Sequence, residues 1–236
     1  AIGVYITYKI LDIADLTVDG SFTTGGAVLV VCVTQYNMHV ALALAIAFVA
    51  GCLAGLATGL FHTKFGIPAI LSGILTQFAL YSINLRIMTR ANVALNVRKY
   101  NVLLSSFDTT SALITSMIFA AVLVAILYVF FGTQLGQSLR ATGCNANMSR
   151  ANGINTERNK VLGLVVSNGV VALSGGLIAQ YQGFADINMG RGAIVIGLAA
   201  VIIGEELKAK IYRNLAVRFI SAIVGGVLYY IIITIV

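Results

Sequence analysis

Ala14-Asp15-Leu16-Thr17-Val18-Asp19-Gly20-Ser21-Phe22-Thr23-Thr24 sets two carboxylates and four hydroxyls directly against an apolar run at 22–34. A second stretch, Ala185-Asp186-Ile187-Asn188-Met189-Gly190-Arg191, opens with the same Ala-Asp pair and leads into an apolar run at 193–204. These runs hold 13 and 12 residues, short of the ~20 that cross a bilayer as helix. Each is preceded by an apolar stretch read as helix, 2–11 with its missing start and 161–180. The pattern of helix, polar break and short helix therefore occurs twice, and the short runs are expected to be half-helices or re-entrant pieces.

The rest of the chain supplies the solvent for that motif. Of 236 residues, 59% are apolar and 10% charged, with mean hydropathy +0.95. A soluble domain carries about 25% charged residues, so this chain cannot wet a globular surface. Most soluble-enzyme and nucleic-acid-binding classes are excluded, and an all-α integral membrane protein is expected. Further runs at 40–60, 67–83, 112–131, 161–180 and 216–236 meet or approach spanning length. The chain begins without Met inside one apolar run and stops inside another, so it reads as a single membrane domain over 1–236, truncated at both ends. The single proline leaves helix breaks mainly to the 24 glycines.

Sidedness follows from counting basic residues, each short run with its break taken as one crossing. Loops 61–66, 133–160 and 205–213 carry Lys64, Arg140, Arg150, Arg158, Lys160, Lys208, Lys210 and Arg213. Loops 84–110 and 181–191 carry Arg86, Arg90, Arg98, Lys99 and Arg191. The more basic side is expected to face the cytoplasm, and the net charge of +7 suits anionic lipid there. The two breaks are then approached from opposite sides, which makes the bundle an inverted repeat, an architecture of many transporters. Loop 84–110 is unusually basic for an external loop. Either its charges face an acidic partner, or it dips back into the membrane.

Acidic groups at membrane depth are functional candidates. Asp15, Thr17, Asp19, Ser21, Thr23 and Thr24, with Asp186 and Asn188 in the second break, are candidates to line a substrate path. The plainer alternative has Asp15 capping the short helix and Asp19 serving a turn. Gly51, Gly55 and Gly59 repeat every fourth residue and predict a face for close helix contact, as do Gly175-Gly176 and Gly225-Gly226. Cys32, Cys52 and Cys144 form no C-x-x-C, and His39 and His62 no cluster, so no metal site is expected. The loop 133–160 is the most polar part of the chain. Within it, 145–152 is expected to form two helical turns closed by Gly153. Its small residues Ala141, Gly143, Ala146, Ala151 and Gly153 suit a docking segment better than a solvated connector.

Three stretches carry a family likeness. Asp15-Leu16-Thr17-Val18-Asp19-Gly20-Ser21-Phe22 resembles the polar break after an early helix in permease subunits of bacterial ATP-binding-cassette importers, in the branch that includes branched-chain amino acid and ribose permeases. Arg140-Ala141-Thr142-Gly143, followed by Ala151-Asn152-Gly153-Ile154-Asn155, resembles that branch's cytoplasmic coupling segment. Residues 173–180 and 194–205 resemble its late helix and Gly-rich return. Within the branch the first element is most similar to amino acid permeases, aromatic amino acid permeases among them. The resemblance implies a multi-pass protein of the bacterial inner membrane, acting as a dimer with a second, identical permease chain. It also implies two ATP-binding subunits docked on 133–160, through Arg140, Ala141, Thr142, Gly143, Ala146, Arg150, Ala151, Asn152, Gly153, Ile154 and Asn155, and an external substrate-binding protein. ATP would be bound by the partner subunits and no cofactor by this chain. Residues 15–21 would lie near the translocation path.

Competing classes are weaker. No H-E-x-x-H metalloprotease motif or phosphate-binding P-loop occurs, and Ser174 has no histidine in any later helix to activate it. An ion-coupled secondary transporter acting without an ATPase is the rival, since broken helices and inverted repeats suit it equally.

Overall fold

The computed structural model describes residues 1–96, 104, 109–208 and 215–235. It is a helical bundle. Helix α1, Ile2–Tyr5, continues as a π-helical turn over Ile6–Ile10, closed by Leu11 N–H donating to the Ile6 carbonyl at 3.1 Å. A non-helical break at 12–16 follows, and Asp12 there takes φ +55°. Next come α2 (Thr17–Thr34), α3 (Val40–Thr63) and α4 (Ala69–Met88). A short strand β1 (Asn92–Ala94) precedes α5 (Thr109–Gly132), α6 (Gln134–Cys144), α7 (Ala146–Ala151) and α8 (Thr156–Gln182). Strand β2 (Phe184–Asp186), α9 (Ala193–Lys208) and α10 (Leu215–Ile235) complete the described chain. The six helices α2, α3, α4, α5, α8 and α10 are long and apolar enough to cross a membrane, so the protein is a multi-pass, all-α membrane protein.

One expectation is corrected here. Thr17-Val18-Asp19-Gly20-Ser21 is not part of the break but the first turn and more of α2, which therefore has 18 residues rather than 13. Two hydroxyls further along it are absorbed by the helix itself. Thr23 and Thr24 donate to the Asp19 and Gly20 carbonyls four residues back, at 3.1 and 2.8 Å.

Glycines set the spacing of the core. At Gly51 and Gly55 a Cβ would collide with the α8 backbone at Asn168 and Leu164, and at Gly59 it would press on Val161. The stripe read from the sequence thus lays α3 antiparallel against α8. Gly25 and Gly175 bring α2 equally close to α8, against the Ala172 and Phe22 carbonyls. Gly225 packs on Ala200 and Gly204, holding α10 to α9. In contrast α5 presents most of its side chains outward, as a helix facing lipid or another chain would.

The contacts also fix directions. Gly3 packs on Val171 and Gly163 on Leu11, so α1 runs antiparallel to α8. Gly197 meets Val4, while Lys9 and Glu205 form an ion pair at 2.9 Å, so α9 runs with α1. The Asp15–Asn168 contact and the cluster joining Val31 and Val33 to Ala179 make α2 run with α8. The unit α1–break–α2 is therefore opposed in direction to α8–break–α9, as an inverted repeat requires.

At one end of the bundle β1 pairs antiparallel with β2, Val93 opposite Ala185. This places the described part of loop 84–110 beside loop 181–191, on one side as the basic-residue count assumed. Arg98 and Lys99 of that loop, and Lys210 and Arg213 of 205–213, lie outside the described residues. At the other end Tyr5, Phe219 and Phe131 stack, with ring centroids 5.4 and 5.9 Å apart. They join α1, α10 and α5 beside α6.

Candidate functional site

The first polar break is fastened rather than open. The Asp15 carboxylate accepts from the Thr17 amide at 2.9 Å through Oδ1 and from Asn168 Nδ2 at 2.7 Å through Oδ2. Asn168 Oδ1 in turn accepts from Ser21 Oγ at 2.6 Å. Thr17 Oγ1 and Thr58 Oγ1 share a hydrogen bond at 2.7 Å, and Thr58 Oγ1 also lies 3.2 Å from the Ala54 carbonyl. Asp15, Thr17, Ser21 and Asn168 are all buried. The network ties the start of α2 to α3 and to the middle of α8, with its buried polar atoms satisfied internally. Asn168 was not among the residues the sequence singled out. Its signal was a lone amide midway along an apolar run.

Asp19 acts at a distance instead of in a local turn. Its Oδ1 accepts from Ile194 N–H at 2.9 Å and its Oδ2 from Gly192 N–H at 3.1 Å. The carboxylate of one half thus caps the N-terminus of α9 in the other, where free amides and the helix dipole favour an anion. Thr23 adds to this joint, its Oγ1 accepting from Gly190 N–H at 3.1 Å. In the second break, Asp186 Oδ1 accepts from Asn188 N–H at 2.7 Å. Gly192 turns the chain into α9 at φ +83°, a backbone setting that glycine takes without strain.

Two cavities flank the Asp19–α9 joint. One, of about 540 Å³, lies among α1, α2, α8, α9 and α10, with Asp186, Asn188, Met189 and Arg191 on its wall beside Phe22. The other, of about 340 Å³, lies between α2, α4 and the segment 187–191, lined by Asp19, Thr23, Gln77, Tyr81, Asn84 and Arg191 among others. Both sizes suit a small solute. Of the residues picked out from sequence, Asp19, Thr23, Asp186 and Asn188 line one or other cavity. Asp15, Thr17, Ser21 and Thr24 line neither.

The α6–α7 segment is built by caps. Thr133 caps α6, Asn145 accepts from Met148 N–H at 3.0 Å to start α7, and Asn155 accepts from Arg158 N–H at 3.1 Å to start α8. Gly153, at φ +78°, ends α7, as expected. Arg150 Nε donates to Thr156 Oγ1 at 2.8 Å, and Asn159 Nδ2 to Thr142 Oγ1 at 2.9 Å, bracing the segment on α8. Arg140, Ala141, Ala151, Asn152, Gly153 and Asn155 are exposed, whereas Thr142 is buried. Met148, midway along α7, is 64% exposed, an apolar side chain that sequence reasoning did not single out. Inward, Gly143 sits directly on the Ile10 carbonyl and Leu11 backbone. α6 therefore bears on the chain immediately before the polar break.

Comparison with known proteins accords with this geometry. A match to the family described as branched-chain amino acid transport system, permease component, covers residues 1–236. The tyrosine transport system permease protein of Clostridioides difficile (strain R20291) is 44% identical over 210 residues, 89% of this chain and 70% of that protein. The uncharacterised protein RP368 of Rickettsia prowazekii (strain Madrid E) is 38% identical over 232 residues, 98% of this chain and 81% of its own length. No solved structure matches the chain. With a multi-pass bundle, an inverted repeat and a family match along its whole length, the chain belongs to the permease components of branched-chain amino acid transport systems.

Proposed function

We propose that the chain is the membrane-spanning subunit of an ATP-driven importer that moves an amino acid by alternating access, with no chemistry on the substrate. The observation that carries this reading is the seat of Gly143 on Ile10 and Leu11. A segment exposed on one face touches, on its other face, the chain that leads into the buried Asp15 network. Two ATP-binding subunits dock on α6–α7, where Arg140, Ala146, Met148, Arg150 and Gly153 meet them. Their closure displaces Ile10 and Leu11 and is passed through the break into α2. Asp19 then transmits it to α9, since the two are hydrogen-bonded directly. Substrate arrives from an external binding protein at the strand end and passes a dimer of identical permease chains. Similarity to the tyrosine permease supports an aromatic amino acid as cargo.

The test is purification of the full-length protein from its native membrane in mild detergent, with mass analysis of what co-purifies. Reconstitution into vesicles with labelled L-tyrosine follows. A stoichiometric nucleotide-binding subunit and uptake that requires ATP are expected. A lone permease that takes up solute down an ion gradient would replace this reading with a secondary transporter.

A further inference from the structure

Asn84 is wholly buried, yet neither its Nδ2 nor its Oδ1 has a hydrogen-bond partner among the described residues. It is a wall residue of the 340 Å³ cavity. A buried amide without a partner destabilises a fold, and such groups are rare enough that each calls for a reason. Packing alone does not supply one, because leucine at this position of α4 would fill the space without a polar cost.

The surroundings point to a ligand. Gln77, Tyr81 and Asn84 recur at intervals of four and three residues and so share one face of α4. Gly20 lets that face approach α2 closely, a Cβ there reaching Gln77 Cα at 3.2 Å. Arg191 stands on the same cavity and makes no ion pair among the described residues. The Asp19 carboxylate has given one lone pair from each oxygen to the α9 amides and retains acceptor capacity. Phe78 and Tyr81, 69% and 42% exposed, put aromatic rings at the mouth.

We infer that this cavity is a solute-binding site within the permease itself, with Asn84 as its selectivity residue, for a zwitterion bearing a carboxylate and an apolar or aromatic side group. Arg191 and Asn84 Nδ2 donate to the carboxylate, while Asn84 Oδ1 and the free capacity of Asp19 accept from the ammonium group. Phe78 and Tyr81 pack on the side group. The inference rests on the importer reading, and it adds that selection is exercised in this subunit as well as in the binding protein.

The experiment measures equilibrium binding of radiolabelled L-tyrosine, up to millimolar concentration, to the purified full-length complex without binding protein. ATP-dependent uptake is measured in parallel in vesicles with the complete system. Saturable binding is expected for the wild type, weakened at least tenfold by Asn84→Leu and by Gln77→Leu. Leu53→Ala, on an outward-facing side of α3, should bind as the wild type does. Asn84→Leu should also melt at a higher temperature than the wild type, which separates loss of binding from loss of fold. Equal binding by wild type and Asn84→Leu, or no saturable binding by the wild type while uptake proceeds, overturns the site and leaves the importer reading standing. Absence of ATP-dependent uptake by the wild type overturns that reading and the site with it.

Discussion

Replacing Asp19 by alanine should loosen the start of α9 without unfolding the bundle. The carboxylate accepts from Ile194 N–H at 2.9 Å and from Gly192 N–H at 3.1 Å. A hydrogen bond to a charged partner is worth about 1.5–3 kcal/mol. Two at the low end give about 3 kcal/mol, or roughly a hundredfold in the local opening equilibrium. The helix dipole acts in the same sense. Asparagine keeps one acceptor oxygen, so Asp19→Asn should cost about half as much, roughly tenfold. Hydrogen–deuterium exchange read by mass spectrometry on the protein in detergent checks this. Peptides covering 190–197 should exchange faster in the order wild type, Asn, Ala, while peptides from 161–172 keep their protection. Uptake should weaken in the same order. Unchanged exchange at 190–197 in Asp19→Ala would refute the cap, and with it the route from α2 to α9.

Three further outcomes follow from the same geometry. Asn168→Ala strips a partner from the buried Asp15 carboxylate and another from Ser21, and should lower stability by about 3 kcal/mol. Thermal melting in detergent checks it, and adding Asp15→Ala to Asn168→Ala should recover part of the loss, because removing both partners is cheaper than removing one. Gly143→Val would drive a side chain into the Ile10 carbonyl, so ATP hydrolysis should continue while uptake falls at least tenfold; equal uptake would deny that force passes through this contact. At Gly153 nothing lies within reach of an added side chain and φ is +78°. Asparagine, which tolerates that region, should behave nearly as the wild type. Gly153→Arg should insert normally yet uncouple hydrolysis from uptake, and normal transport by it would remove Gly153 from the docking surface.

Hydropathy located the spanning segments because lipid imposes a length on them, and the end of α7 was legible because Gly153 is a local signal. The start of α2 was not. Thr17, Asp19 and Ser21 look like a polar break when counted by hydropathy, but inside the helix their polar groups are met by Thr58, the α9 amides and Asn168, all distant in sequence. The face of Gly51, Gly55 and Gly59 could be read from spacing, whereas its partner α8, more than 100 residues away, could not. Asp19 illustrates the same limit. Its amide partners lie 173 and 175 residues further on, so local sequence offered only a turn. Asn84 carried no pattern at all, since an amide near the end of a spanning run resembles any boundary residue.

The Asp15–Asn168 bond has a consequence for how the protein is made. Its partners are 153 residues apart, and a ribosome adding about 5–20 residues per second needs roughly 8–30 s to cover that distance. Throughout that interval Asp15 has been synthesised and its amide has not. A carboxylate is costly in hydrocarbon, so the nascent α2 has reason to linger at the insertion machinery, or in contact with a chaperone, until α8 emerges. The synthesis of α8, rather than of the first helices, then becomes the step at which this membrane protein commits to its fold.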